Sequence, residues 1–365
     1  RYERVGIVLF LGLAFYMVKV MYSPLSFKFA DELQHWRTTD TILASGRLLT
    51  VNRILPVSPF FPALQNLTTA FSTLSGLSIT QSGFVVIGMA RIVFVLGYYL
   101  VYERVTGSAH IGSLGTMIYM LNPHYQFLNS MFTYQAIALA ILAYAWFTYS
   151  RLFHSDGKHN GIRLAAIMAL FAVTVSHHIT SYMHVIMLLG WAIVTILWRK
   201  GGNQRRVPVI LAVIAFLLSL NWTLHVATLT IDYLATPLQK IPQKIVELIN
   251  GEENNPDDEE TKITLPSGPR HEFFLSLGAV GGICLMILLG AWFVWRYYRE
   301  NTLALLLGLV GVGYYGSIGL RFVPDGAGLT GRTWPFLFIG LSFTFAVGLV
   351  HFQPQFPRFR RRILG

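Results

Sequence analysis

Residues 5–37 read VGIVLFLGLAFYMVKVMYSPLSFKFADELQHWR, an apolar segment with one internal charge, Lys19, that leads into a group of ionisable side chains. The apolar part, residues 5–22, has the length of a helix that crosses a hydrocarbon layer about 30 Å thick. The ionisable residues that follow are Asp31, Glu32, His35 and Arg37. A polar group just beyond an apolar helix predicts a membrane protein whose chemistry lies at one membrane surface.

The composition of the whole chain agrees with this prediction. Of 365 residues, 54% are hydrophobic and only 12% are charged, and the mean hydropathy is +0.53. Soluble domains carry about 25% charged residues, and disordered chains combine low hydrophobicity with high charge, so both classes are excluded. The one cysteine, Cys284, excludes a disulfide scaffold and cysteine-based zinc or iron–sulfur sites.

Apolar runs divide the chain into about ten predicted spans, which makes it an all-α polytopic integral membrane protein. The third and fifth runs are short, and we expect them to be tilted or partly re-entrant. The predicted spans are residues 5–22, 82–102, 108–121, 133–149, 163–176, 182–198, 207–229, 273–295, 302–320 and 333–351. The first run lacks a small-residue cleavage site, so we expect it to remain as an anchored helix.

Lys and Arg concentrate in alternate connections between the spans, which sets the orientation. The pattern predicts cytoplasmic N- and C-termini in a plasma membrane or its equivalent. The membrane domain is then residues 1–351, with long outer loops at 23–81 and 230–272, followed by a basic cytoplasmic tail at 352–365. The formal charge of +11 is therefore mainly an orientation signal that favours membrane lipids as partners and excludes nucleic acid.

The first outer loop contains two predicted helices next to the membrane. Residues 30–49 form a helix that Gly46 ends, with Asp31 and His35 on one face. Asp31 is either a helix cap or a functional carboxylate, and the capping interpretation leaves His35 and Arg37 unexplained. Residues 56–78 are amphipathic but too polar to span, so they form a membrane-surface helix or a plain connector.

Polar residues recur at other outer connections. His177 and His178 follow the fifth run, but their spacing does not match a His-x-x-x-His zinc site, so a structural cluster or hydrogen bonding to a substrate is preferred. Arg321 and Arg332 flank the glycine-rich segment RFVPDGAGLTGR, where they either reach lipid headgroups or bind a phosphate.

The order of these motifs resembles the GT-C superfamily of polytopic glycosyltransferases. The matching pieces are an Asp-Glu pair after the first span, a helix ending in Gly46, a surface helix ending in Ser-Gly-Leu-Ser, and three later motifs. Those motifs are Asn122-Pro123 with Ser130 and Tyr134, Ser176-His177-His178 with Tyr182, and Arg332 before the last span. Members of this superfamily use polyprenyl-phosphate-linked sugars at the outer membrane face.

The resemblance implies a catalytic carboxylate at Asp31, with Glu32 as its partner, and a donor-phosphate contact at Arg332. Cations stabilise a departing phosphate, so Arg321 and Arg37 are further candidates. Side chains that could bind substrate by hydrogen bonding and stacking are His35, His177, His178, Tyr182, Asn122 and Tyr134. A second acidic motif of the kind many members carry is not found, so we expect no required metal or other cofactor.

The predicted function is an inverting glycosyltransferase that moves a sugar from a polyprenyl-phosphate-linked donor to a glycan, lipid or protein acceptor. One alternative is a catalytically silent GT-C-like subunit that binds lipid or assembles with membrane protein partners. A second is a transporter or flippase of lipid-linked sugars, although the two halves of the sequence show no convincing repeat.

Overall fold

The computed structural model describes residues 1–155, 160–198, 206–232, 270–320 and 326–352, and in these ranges regular structure is helical. The helices are α1 (Tyr2–Tyr22), α2 (Ala30–Ser45), α3 (Ala63–Ser75), α4 (Ile79–Thr106), α5 (Ala109–Met120), α6 (Pro123–Gln126), α7 (Tyr134–His154), α8 (Asn160–Thr174), α9 (His178–Trp198), α10 (Arg206–His225), α11 (Arg270–Tyr298), α12 (Thr302–Leu320) and α13 (Gly326–Phe352). The all-α membrane fold is confirmed. Most of the 230–272 loop and almost all of the 352–365 tail lie outside the described residues.

Eight of the described helices are long and apolar enough to cross a membrane: α1, α4, α7, α9, α10, α11, α12 and α13. The count of ten spans is not confirmed. The two runs that look short in the sequence form α5, with 12 residues, and α8, with 15 residues. Both fall below the about 17–25 residues that a spanning helix needs.

Two groups of helices build the bundle. Helix α4 packs against α1, α5 and α7, and α13 packs against α5, α11 and α12. Glycines permit the closest approaches, because a Cβ on Gly290 would clash with the backbone of Thr344 and one on Gly340 with that of Gly311. Small residues at helix contacts are the usual means of close packing in membranes.

A charged residue in the middle of α4 has an aromatic partner. The buried Arg91 side chain donates from NH1 to the Tyr125 carbonyl at 2.6 Å, and its guanidinium carbon lies 3.4 Å from the centre of the Tyr125 ring. Cation–π attraction is strong where both groups are desolvated. Arg91 therefore fixes the short helix α6 against the bundle.

A buried ion pair joins α1 to the start of α2. Lys19 Nζ donates to Glu32 Oε1, and the two residues are 5% and 0% exposed. The same oxygen accepts the Phe132 N–H at 3.0 Å, while Oε2 accepts the N–H groups of Lys28 and Phe29 at 3.2 and 3.3 Å. One carboxylate thus connects the end of α1, the first turn of α2 and the segment that enters α7.

The ends of α2 follow two local rules. Gly46 ends the helix with φ of 64° and donates its N–H to the Ile42 carbonyl at 2.8 Å, as the sequence predicts. The carboxylate at the N-terminus is that of Glu32 and not of Asp31, because the third helical residue can reach back to the N–H of Phe29. Asp31 is left available for another role.

The amphipathic stretch contains helix α3, which has an unusual pattern of burial. Phe61 and Leu64 are buried, whereas Leu67 and Leu74 are 48% and 88% exposed. The residues of α3 that face the protein are Leu64, Gln65, Thr68 and Ser72. A helix that buries polar groups and exposes leucine suits an apolar surrounding, in agreement with a location at the membrane surface.

We expect Lys19→Met to destabilise the protein by about 3–5 kcal/mol, because it leaves the Glu32 carboxylate buried without a counter-charge. Urea unfolding in detergent micelles measures this. Lys28→Met is the matched control, because Lys28 is exposed and contributes only its backbone N–H to Glu32. Equal stability of the two variants would show that the buried pair is not what holds α1 to α2.

Candidate functional site

Four aromatic rings from three parts of the chain meet at one place. The Tyr134 ring, at the start of α7, lies 4.6 Å from the His35 ring on α2 and 4.3 Å from the His177 ring. The His178 ring, at the start of α9, is 5.9 Å from Tyr134 and 4.8 Å from His177. The three histidines are buried and Tyr134 is half-buried. We name His35, Tyr134, His177 and His178 the histidine–tyrosine cluster.

The segment between α2 and α3 holds His35 in place. Ser58 Oγ lies 3.2 Å from His35 Nδ1, and the side-chain nitrogen of Gln65 lies 3.1 Å from the same atom. An amide nitrogen is always a donor, so Nδ1 accepts and the ring proton is on Nε2. That N–H is on the side of the ring away from Ser58 and Gln65.

His177 belongs to the turn between α8 and α9. Its Nδ1 accepts the backbone N–H of Thr180 at 3.3 Å and lies 2.8 Å from the Thr180 hydroxyl oxygen. An acceptor that binds an N–H three residues ahead satisfies a free donor at a helix N-terminus. The start of α9 thereby fixes the orientation of the His177 ring.

Burial determines the charge of these imidazoles. It lowers the pKa of His35 from 6.5 to about 3, because the charged form loses its hydration. Burial also lowers the pKa of His177 well below its usual value, and electrostatic interactions with His178, His35 and Arg332 lower it further. Both histidines are therefore neutral at pH 7.

The two neighbouring carboxylates have opposite environments. Glu32 is fully buried and accepts four hydrogen bonds, whereas Asp31 is exposed on the first turn of α2. Across the described part of the chain, Asp31 forms no hydrogen bond or ion pair. Its oxygens can therefore accept a proton from a bound molecule.

The remaining predicted site residues lie in different surroundings. Arg332, near the start of α13, and Arg37, on α2, are exposed. The Tyr182 hydroxyl is 2.8 Å from the Thr223 hydroxyl on α10, and Asn122 caps α6 by accepting the His124 N–H at 2.9 Å. Neither Tyr182 nor Asn122 contacts the cluster through these bonds. Arg321 lies outside the described residues.

Sequence reasoning missed Ser58 and Gln65, which hold His35. Gln65 lies beside Asn66 and Thr68, so nothing in the sequence distinguishes it. Lys19, which neutralises Glu32, is visible in the sequence as a charged residue within the first apolar span, but its partner is not. Such residues need a partner, because an unpaired polar group in apolar surroundings is costly.

Metal binding remains at the level of prediction. Among the residues that the structure describes, no three His, Cys, Asp or Glu side chains are grouped so as to hold a metal ion. His177 already uses Nδ1 to cap α9. The expectation that no metal is required is not tested by this arrangement.

Comparison with solved structures identifies the class of fold. The crystal structure of ArnT from Cupriavidus metallidurans bound to undecaprenyl phosphate matches 94% of this chain and 60% of that chain, with a TM-score of 0.55 and 17% identity. ArnT in the apo state matches 94% and 59% of the two chains, with a TM-score of 0.53 and 17% identity. This likeness confirms the GT-C fold that the sequence motifs imply.

The likeness concerns the fold. The chain spans about 60% of the length of the ArnT structures that it matches. No family model and no curated protein matches its sequence. The roles of individual residues therefore rest on the geometry described above and on the chemistry that this geometry allows.

We expect the free energy of unfolding to decrease by about 2 kcal/mol between pH 7 and pH 5 because of His35 alone. The unfolded chain takes up a proton on His35 below pH 6.5, whereas the folded chain resists protonation until about pH 3. The stabilisation is thus complete above pH 6.5 and is lost as the pH falls. Urea unfolding at several pH values measures it.

The variant His35→Gln should have a shallower dependence on pH, because it removes this titrating group. His154→Gln, at an exposed histidine on α7, is the control and should keep the original slope. An unchanged slope in His35→Gln would contradict the burial of a neutral imidazole at this position.

Proposed function

We propose that this chain is an inverting glycosyltransferase that transfers a sugar from a polyprenyl-phosphate-linked donor to an acceptor hydroxyl at the membrane surface. The observation that carries the proposal is an exposed carboxylate, Asp31, on a helix whose first turn is locked by the buried Glu32. The cationic Arg332, whose charge acts on His177 of the cluster, and a fold shared with an undecaprenyl-phosphate-bound ArnT support it.

In this mechanism Asp31 acts as the general base. Its carboxylate takes the proton of the acceptor hydroxyl while the hydroxyl oxygen forms a bond to the anomeric carbon of the sugar. The bond between that carbon and the donor phosphate oxygen breaks, and its electron pair leaves with the polyprenyl phosphate. A single displacement of this kind inverts the anomeric configuration. Positioned bases contribute about 10²–10⁴-fold to such reactions.

Glu32 acts as a positioning residue in this proposal. Both of its oxygens are occupied by donors, from Lys19 and three backbone N–H groups. A carboxylate in that state is poorly suited to take a proton from substrate. Its hydrogen bonds instead fix the first turn of α2. The adjacent Asp31 therefore keeps a constant position and orientation relative to α7.

Arg332 is proposed to bind the donor phosphate. A guanidinium presents a planar pair of donors to phosphate oxygens and stabilises the charge that grows as the phosphate departs. Arg37 lies on the same helix as Asp31 and offers a second cation on the acceptor side, and Arg321 is a third candidate. Nearby imidazoles that stay neutral do not compete with these arginines for the phosphate.

The histidine–tyrosine cluster is proposed to form one wall of the sugar site. Tyr134 is its half-buried member, and the His35 and His177 rings pack against the Tyr134 ring. Tyr182 and Asn122 stay candidates for substrate contacts. We propose an outer-face site with cytoplasmic termini, no metal requirement, and a glycan, lipid or protein acceptor.

We expect Asp31→Asn to lower turnover at least about 100-fold, the usual minimum for loss of a positioned base. Transfer from a polyprenyl-phosphate sugar in proteoliposomes measures it. Because Asp31 is exposed and makes no internal bond in the described structure, the unfolding midpoint should not change. Asp40→Asn, at an exposed carboxylate on the same helix, is the matched control and should keep full activity.

The same variant separates the alternatives. If the chain is a catalytically silent subunit, the Asp31→Asn variant should bind lipid or its partner as tightly as the unmodified protein does. A flippase would move labelled lipid-linked sugar between leaflets without forming a new glycosidic bond. Full transferase activity in Asp31→Asn would reject the assignment of the base.

We expect Arg332→Ala to weaken donor binding about 10–100-fold, the equivalent of about 1.5–3 kcal/mol for a hydrogen bond to a charged group. Mass spectrometry of lipids that co-purify with the protein, followed by titration with a polyprenyl phosphate, measures it. Arg163→Ala, at an exposed arginine of α8, is the control. Unchanged affinity for the polyprenyl phosphate in Arg332→Ala would remove the phosphate role from this residue.

A further inference from the structure

The connection between α2 and α3 presents apolar side chains outward. Residues 47–54 read RLLTVNRI and are named here the 47–54 loop. Its exposed apolar residues are Leu48 at 50%, Leu49 at 43%, Val51 at 89% and Ile54 at 64%. Several neighbouring exposed aliphatic groups are unusual where a chain faces water, and they mark a surface that contacts something apolar.

A buried asparagine holds this loop in a fixed shape. The Asn52 amide nitrogen donates to the Thr38 hydroxyl at 3.0 Å, and Asn52 Oδ1 accepts the N–H groups of Ile54 and Leu55, each at 3.0 Å. Asn52 is 7% exposed, whereas the adjacent Val51 is almost fully exposed. The polar side chain is therefore turned into the protein and the apolar one is turned out. The hydrogen bonds of Asn52 therefore determine that the apolar side chain of Val51 points outward.

Leu49 adds backbone strain to the same pattern. Its φ is +58°, in the left-handed region where glycine is the favoured residue. A leucine in this conformation is strained, because its Cβ approaches the following carbonyl oxygen. Its side chain does not recover this cost by burial in the protein, because it is 43% exposed. Burial against an external apolar phase would offset the strain.

The loop packs against a helix that begins close to the end of the first candidate membrane span. Asn52 contacts Thr38, in the middle of α2, and α2 begins eight residues after the end of α1 at Tyr22. The exposed Leu67 and Leu74 of α3 indicate an apolar surrounding for the same outer layer. The loop also carries the exposed cations Arg47 and Arg53 and contains no acidic residue.

We propose that the 47–54 loop inserts into the bilayer leaflet adjoining the end of α1. Leu48, Leu49, Val51 and Ile54 enter the acyl region, and Arg47 and Arg53 contact anionic headgroups. A basic side chain is attracted to such a surface, and the aliphatic groups supply apolar contact with it. Because Asn52 bonds to α2, the inserted loop sets the depth of α2 relative to the lipid phosphates. The inference stands independently of the proposed catalytic activity.

Fluorescence quenching tests the insertion. The native thiol is removed as Cys284→Ser, and an environment-sensitive dye is attached at Val51→Cys. The matched control carries the dye at Asp40→Cys, an exposed position on α2. Both proteins are reconstituted in vesicles of phosphatidylglycerol and phosphatidylcholine. Groups about 5–10 Å deep in the interface are reached by lipids that carry a nitroxide near the headgroup.

The dye at position 51 should emit at shorter wavelength than the dye at position 40, lose intensity to the nitroxide lipid and resist aqueous iodide. The dye at position 40 should instead emit at longer wavelength, keep its intensity with the nitroxide lipid and be quenched by iodide. Iodide quenching at position 51 equal to that at position 40 would overturn the proposal. Protection from both quenchers would also overturn it, because the loop would then be covered by protein, such as a second copy of this chain.

The headgroup contact has its own test. The double variant Arg47→Gln/Arg53→Gln should reduce nitroxide-lipid quenching at position 51 in phosphatidylglycerol vesicles but not in pure phosphatidylcholine. Equal loss in both lipids would overturn the electrostatic part of the proposal. All these readouts measure depth and not catalysis, so they remain informative if the chain proves to have no transferase activity.

Discussion

The arrangement of the candidate site depends on one neutralised charge, the Glu32 carboxylate buried against Lys19. Neither group is stable alone in an apolar bundle, since an unpaired buried ion is penalised by several kcal/mol. Their pairing places the start of α2 against α1, and the Phe132 N–H brings the entry to α7 to the same carboxylate. This junction fixes the positions of Asp31 and Tyr134, which lie on either side of it.

The membrane-spanning helices were predictable because a single physical requirement, the thickness of the hydrocarbon layer, acts on contiguous sequence. That requirement locates α1, α4, α7 and the later spans without knowledge of their neighbours. The apolar runs that form α5 and α8 have 12 and 15 residues, which is shorter than a spanning helix needs. Hydropathy does not distinguish burial in protein from burial in lipid.

The candidate site was predictable residue by residue but not as an arrangement. The motifs indicated Asp31, His35, Tyr134 and His177, yet the opposite environments of Asp31 and Glu32 follow from partners 13 and 100 residues away from Glu32. Without those partners, the sequence does not show which of the two adjacent acids is buried and which is exposed. The inward face of α3 escaped prediction for a related reason, since an apolar surrounding reverses the usual rule that leucine is buried and glutamine exposed.

The spacing of the Lys19–Glu32 pair also bears on how the protein is made. Lys19 meets its counter-charge only 13 residues later in the chain, whereas the Phe132 N–H that shares the same carboxylate is 100 residues from Glu32. At about 5–20 residues per second, the second contact becomes available several seconds after the first. The first helix can therefore enter the bilayer with its ammonium already neutralised, and the junction around Glu32 is completed only when the segment that enters α7 is synthesised.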